Sequence, residues 1–189
     1  HFPEDERWQL LDRPLSGEQF EVLPYLESDF FSLGLSAAGL PQGVVEAGGL
    51  DNISIQAPEG VLMTAGLEYA DGRTSGRASL DRRTFCQRQG GSYEILAEFP
   101  EAGEYILKAY ARRMGGSEEF SSVIELGINA TSGEEGGLGY PLAYSAFTEA
   151  GAYLYGPMQG RLKAGESYWF RIDVPGAQDV AVVSGEQWT

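Results

Sequence analysis

A single cysteine, Cys86, and a single histidine, His1, stand in a chain of 189 residues. One thiol cannot close an internal disulfide, and one thiol with one imidazole makes no Cys/His cluster for zinc. No D-x-D-x-D-G run is present to form a calcium loop. Basic residues are also scarce: 13 against 28 acidic ones leave a net charge of −15. That field repels phosphate backbones and anionic membrane surfaces, so no nucleic acid is expected as a partner. No apolar run approaches the ~20 residues of a membrane span, so no membrane insertion is expected either. Signal-peptide patterning is absent, and His1 opens the chain where Met is expected, so the chain reads as a fragment. Missing disulfides favour a reducing compartment. Against this, the two asparagines, Asn52 and Asn129, both sit in N-x-S/T acceptor sequons. The cytoplasm is the expected location, with the extracellular space as the alternative.

These shortages also bound the chemistry. A thiol hydrolase or acyltransferase needs a thiolate activated by an adjacent base, and a third group to orient that base. Arg82, Arg83 and Arg88 flank Cys86 in sequence and would favour its thiolate. A terminal His1, however, is not a positioned base, so Cys86 is expected to be an inert strand thiol. Asp51, Asp71 and Asp81 lie at turns, where Asp is favoured for backbone reasons. Glu118-Glu119 and Glu134-Glu135 read as solvated loops. No catalytic, cofactor-binding or metal-binding residue is assigned, and no cofactor is expected.

What the chain does have is apolar alternation. Hydrophobic residues make up 42% and aromatics 12%, enough for a core, and 26 glycines and 9 prolines separate many short runs. The central run is Pro100–Ala111, PEAGEYILKAYA. Tyr105, Leu107, Ala109 and Ala111 alternate with Ile106, Lys108, Tyr110 and Arg112, the period of a half-buried strand. Gly-x-Tyr-x-Leu-x-Ala resembles the tyrosine corner of immunoglobulin-like sandwiches, where a Tyr two residues before a core Cys bonds back to the preceding turn. Leu107 holds that Cys position here.

Taken in order, Ser16-Gly17-Glu18-Gln19 fits a capping box, followed by a short helix through Phe20 and Leu23 that Pro24 ends. So short a helix must dock, and Trp8, Leu11, Phe20, Phe30 and Phe31 form the expected docking surface. From Phe30 onward strands are expected. They are Asn52–Ala57, Val61–Tyr69, the polar edge Arg82–Gln89 carrying Cys86, Tyr93–Phe99, the central run, and Phe120–Asn129 with Ile124, Leu126 and Ile128 inward. About seven strands in roughly a hundred residues suit one immunoglobulin-like sandwich. Thr131–Gly139 reads as a flexible Gly/Glu linker with nothing to bury. Beyond it, Ala152–Tyr155, Ser167–Val174 and Asp179–Val183 make about half a second sandwich. The expected organisation is therefore all-β. A junction with a short helix occupies 1–27, an immunoglobulin-like β-sandwich 28–130, a linker 131–139, and a truncated second β-sandwich module 140–189. Trp169, Tyr144, Tyr155 and Trp188 form either a glycan platform or, the preferred reading, a surface for missing strands or a neighbouring module.

The chain also resembles the kyphoscoliosis-peptidase (KY) and hillarin group of transglutaminase-like proteins. The resemblance rests on His1-Phe2-Pro3, Trp8-Gln9-Leu10-Leu11, Pro14-Leu15-Ser16, Phe20-Glu21, Phe30-Phe31 and Pro100–Tyr105. It continues through Tyr153-Leu154-Tyr155, Leu162–Glu166 and Val174–Ala177. It implies immunoglobulin-like modules following a transglutaminase-like domain, with the catalytic Cys, His and Asp upstream and none mapping onto this chain. It implies a non-catalytic accessory region whose partners are the adjacent transglutaminase-like domain and, in animals, cytoskeletal proteins. The alternative is a secreted carbohydrate- or surface-binding β-sandwich module.

Overall fold

Side-chain alternation sorts most of the strands into two facing sheets. The computed structural model describes residues 24–37, 45–47, 50–116, 119–134, 136–184 and 187–188. The expected capping box and helix of 16–23, with Trp8, Leu11 and Phe20, lie outside the described residues. The first strands are β1 (Tyr25–Leu26), β2 (Val45–Ala47), β3 (Leu50–Gln56) and β4 (Val61–Tyr69). Then come β5 (Thr84–Gln89), β6 (Ser92–Glu98), β7 (Gly103–Arg113) and β8 (Ser121–Ala130). One sheet runs β8-β7-β4, with β1 antiparallel and β2 parallel to β8 on its other side. The second sheet runs β3-β6-β5. The chain thus crosses between sheets after β2, after β3, after β4 and after β6. This is the strand order of an immunoglobulin-like sandwich, in which the F and G strands pair beside C while B, E and D form the facing sheet.

The core lies between the sheets. Ile55, Tyr93, Ile95 and Phe99 from one side meet Val61, Met63, Tyr105, Leu107, Leu126 and Ile128 from the other. Tyr105 sits in the corner that the sequence predicts. Its hydroxyl donates to the Glu101 carbonyl at 2.8 Å, and its ring packs on Tyr69 and Phe99 at 5.2 and 5.1 Å. Leu107 is buried in the same core, so packed hydrocarbon occupies the place of the disulfide. β8 buries the expected inward residues Ile124, Leu126 and Ile128, with one addition. Its register slips opposite Ala109/Tyr110, leaving Val123 as an extra residue, so Val123 is buried as well as Ile124. A bulge of this kind breaks strict alternation.

Strands do not begin at Phe30. Ser28–Ser32 forms a single helical turn, α1, which buries Phe30 and leaves Phe31 66% exposed. An aromatic pair favours a strand by propensity, but a tertiary slot for one of the two rings decides the local conformation.

The stretch expected to be a free linker is a packed strap. The Glu134 amide donates to the Phe99 carbonyl at 2.8 Å, and the Tyr140 amide to the Arg82 carbonyl at 2.7 Å. Just before the first anchor Gly133 lies on the Glu101 backbone, and between the two Gly137 lies on the ion pair of Arg83 and Glu98. A side chain at either glycine would collide with these atoms, so here Gly serves close approach as well as flexibility.

After the strap come α2 (Ser145–Glu149), β9 (Tyr153–Gly156), β10 (Arg171–Asp173), β11 (Val183–Ser184) and β12 (Gln187–Trp188). The strand expected over Ser167–Val174 shortens to β10, which pairs antiparallel with β9. The one expected over Asp179–Val183 leaves only the β11–β12 pair. Alternation marks a capacity to be a half-buried strand, but ladder formation needs a neighbour. Residues 167–170 have none among the described residues, and Trp169 is 95% exposed.

Two stability outcomes follow. Tyr105→Ala, which truncates a buried aromatic and orphans the corner bond, is expected to cost ~3–5 kcal/mol, against ~1 kcal/mol for Tyr105→Phe. Urea midpoints of the two variants measure the difference, and equal midpoints for Tyr105→Ala and the parent would remove Tyr105 from the core. Glu98→Ala leaves the Arg83 guanidinium buried and unpaired, and is expected to cost ~3–5 kcal/mol. In the same chain, Arg83→Met with Glu98→Leu should recover most of that loss.

Candidate functional site

β5 places Cys86 on the inner face of its sheet, paired across from Ile95 and packed against the inter-sheet core. Burial pushes its thiol from an ordinary 9.0 up to about 12. None of the three neighbouring arginines serves as its activator. Arg83 is buried against Glu98. Arg88 donates to the carbonyls of Ala57, Val61 and Gly90 at 3.0, 3.2 and 3.1 Å, and lies over the Tyr93 ring. Arg82 points away along the strap, toward the Gly160 carbonyl. The expected influence of these arginines on Cys86 is therefore reversed: burial wins, and the thiol is held protonated. His1 lies outside the described residues. Among the described residues no three His, Cys, Asp or Glu side chains converge as metal ligands.

The outer face of β5 and β6 carries a second, smaller core. Phe85, Tyr140 and Leu154 are buried there, with Leu96, Phe147, Met158 and Ile172 packed around them. Polar contacts fix the register of this layer. The Leu154 amide donates to Gln87 Oε1 at 2.9 Å, and the Tyr153 hydroxyl to Glu94 Oε2 at 3.0 Å. The segment after the strap therefore leans on the first sandwich. Burial pushes the Tyr140 phenol up to about 12.

The aromatics weighed as a glycan platform do not come together as one. Tyr155 packs edge-on against Tyr153, and Arg171 stacks over its ring at 4.4 Å. Trp169 and Tyr144 are exposed, but no ring contact joins either to Tyr155 among the described residues. The Trp188 side chain is not described. Asn129 lies in β8 beside β7, partly exposed; Asn52 lies in β3.

A feature that sequence reading missed is a groove of about 790 Å³ beside β4. One wall is the β4 edge from Ala65 to Tyr69; the other is the loop after it, including Thr74, Arg77, Ala78 and Ser79. Arg77 holds that loop in place, pairing with Asp71 at 2.9 Å and stacking on the Tyr69 ring at 4.4 Å. Alternation marks Leu67 as a core residue and says nothing of its main chain, so no sequence signal pointed here.

Residues 17–136 match the family of KY-like, immunoglobulin-like domains. The chain is 30% identical over 126 residues to kyphoscoliosis peptidase of Mus musculus, covering 66% of this chain and 17% of that protein. It is 57% identical over 35 residues to the Lim and transglutaminase domain protein ltd-1 of Caenorhabditis elegans, covering 18% of this chain and 5% of that protein. The chain thus spans a small part of either relative. Among solved structures, a chimeric titin Z1Z2 is 16% identical, with 57% of this chain and 94% of that chain covered, at a TM-score of 0.24. A likeness that slight carries no weight beside the strand order.

The half-buried thiol has a measurable consequence. Its folded-state pKa is raised, so its contribution to stability is complete below pH 9.0 and is lost as pH climbs toward about 12. The phenols of Tyr105 and Tyr140, also raised to about 12 from 10.0, steepen the same alkaline decline. Cys86→Ala should flatten the part that begins near pH 9, in urea melts taken across that range. In native protein at pH 8, Cys86 should resist iodoacetamide and react only on unfolding; rapid native labelling would contradict its placement.

Proposed function

This chain belongs to the family of KY-like, immunoglobulin-like domains, and from that membership we propose that it is a non-catalytic arm of a larger transglutaminase-like protein. In this reading it positions an enzymatic domain and presents surfaces to protein partners. The observation that carries the reading is the state of the one thiol. Cys86 is half-buried against the sandwich core with its pKa pushed up to about 12, the opposite of what a nucleophile needs. The matched family is an immunoglobulin-like domain rather than a catalytic one, and one relative's name includes a transglutaminase domain. Both facts support placing the chemistry elsewhere in the parent polypeptide. A cytoplasmic setting suits an unpaired cysteine; glycans on Asn52 or Asn129 in the native protein would place it outside the cell instead.

The packing of β9 and α2 against the outer face of β5 and β6 supports a spacer role. A following segment that docks on the sandwich transmits orientation better than one on a free tether. The chain alone should read blank in amine-incorporation and peptidase assays. Turnover that disappears in Cys86→Ala would overturn the reading.

A further inference from the structure

We propose that the edge of β4 at Leu67 takes an extended peptide from a protein partner as an added strand. The argument begins with the phase of the ladder. The Ala70 amide donates to the Glu104 carbonyl at 3.0 Å, and the Met114 amide to the Gly60 carbonyl at 2.7 Å. Those two bonds fix which residues of β4 turn their main chain toward β7: Leu62, Thr64, Gly66 and Glu68. Antiparallel pairing then turns the N–H and C=O of Val61, Met63, Ala65, Leu67 and Tyr69 to the free edge.

Three carbonyls of that edge are closed, those of Val61, Ala65 and Tyr69. The Val61 carbonyl accepts from the Tyr93 hydroxyl at 3.1 Å and from Arg88 at 3.2 Å. The Ala65 carbonyl accepts from the Thr84 hydroxyl at 2.8 Å, and the Tyr69 carbonyl accepts from the Gly72 amide at 2.9 Å. Leu67 sits between the last two closures. Neither its N–H nor its C=O has a hydrogen-bond partner among the described residues. The sandwich explains this opening. β4 and β5 meet at Ala65 and Thr84, then separate, and the loop spanning 70–83 bows across the gap and leaves the groove.

The groove volume lies within the roughly 300–1,000 Å³ usual for ligand clefts. Its walls include Ala65, Gly66, Gly72, Ala78 and Ser79, side chains short enough to admit a main chain. The unmet demand is one amide donor and one carbonyl acceptor from a single strand residue, which one residue of an extended peptide satisfies. A second whole copy of this chain is a poorer fit, because the loop walls the edge off from another domain. Arg77 is already paired with Asp71 and Glu101, and the chain carries a charge of −15, so a neutral or basic peptide suits the groove better than an acidic one.

This inference deepens the partner-binding part of the proposed function, but its test is independent of the enzyme assays. A display library of random peptides roughly twelve residues long, ample for an edge at about 3.3 Å per residue, is panned on the 189-residue chain. Enriched peptides are then titrated into isotope-labelled protein. The expected result is amide shifts confined to Gly66, Leu67, Ala78, Ser79 and their neighbours, with exchange of the Leu67 amide slowed about tenfold or more. Ala78→Trp fills the groove from an exposed loop position and should weaken binding about tenfold or more. Ser79→Trp serves as a second block, and thermal melts of both variants verify folding. Failure to enrich any peptide, shifts located on β9 and β10 instead, or full binding by both folded Trp variants would each overturn the proposal.

Discussion

The hydroxyl of Tyr105 on the carbonyl of Glu101 is the contact from which most of this structure can be traced. With no disulfide between the sheets, the turn from β6 to β7 is held by that bond and by the stack of Phe99, Tyr105 and Tyr69. Glu101 then serves three neighbours. Its carbonyl accepts from Tyr105, its carboxylate lies 3.9 Å from Arg77, and its backbone is the surface on which Gly133 rests. Arg77 in turn holds the loop that walls the β4 groove. The core, the groove and the strap therefore share one anchoring turn.

The strap continues that logic on the outer face. It crosses the buried Arg83–Glu98 pair at Gly137 and ends at the Arg82 carbonyl, delivering Tyr140 onto Phe85. An ion pair out of water is weak evidence for net stability, because desolvation offsets much of the attraction. It does make the strap's position specific, since only a residue without a side chain fits over the two charges. β5 is an edge strand, and edges invite association unless covered. Here its outer face is covered by the chain's own next segment, while the β4 window at Leu67 is an edge with unmet hydrogen bonds.

Exposure of large apolar groups is concentrated after the strap. Leu142, Tyr144, Trp169 and Val180 all lie beyond it and are mostly solvent-facing. In the first sandwich, by contrast, the alternating apolar residues are nearly all inside. The segment after the strap is thus packed on the sandwich through Tyr140 and Leu154 while its other large apolar groups face solvent.

How far this could be read from sequence depended on where the deciding force was local. The strands of the first sandwich were legible because most of their buried residues fall at every second position: Val61–Tyr69 is bounded to the residue, and Tyr105 to its corner. The edge strand carrying Cys86 was legible too, although the arginines beside the thiol suggested an influence that burial overrides. What tertiary structure alone decided were contacts between distant parts. The Val123 bulge depends on the register with β7, the turn at Phe30 on a slot in the core, and the fate of Ser167–Val174 on whether a neighbouring strand exists. The strap looked like a linker because glycine has one appearance in sequence and two uses, freedom and close approach. The Leu67 window was invisible because it is made of main-chain groups common to every residue, and only the fold determines which of them are left unpaired.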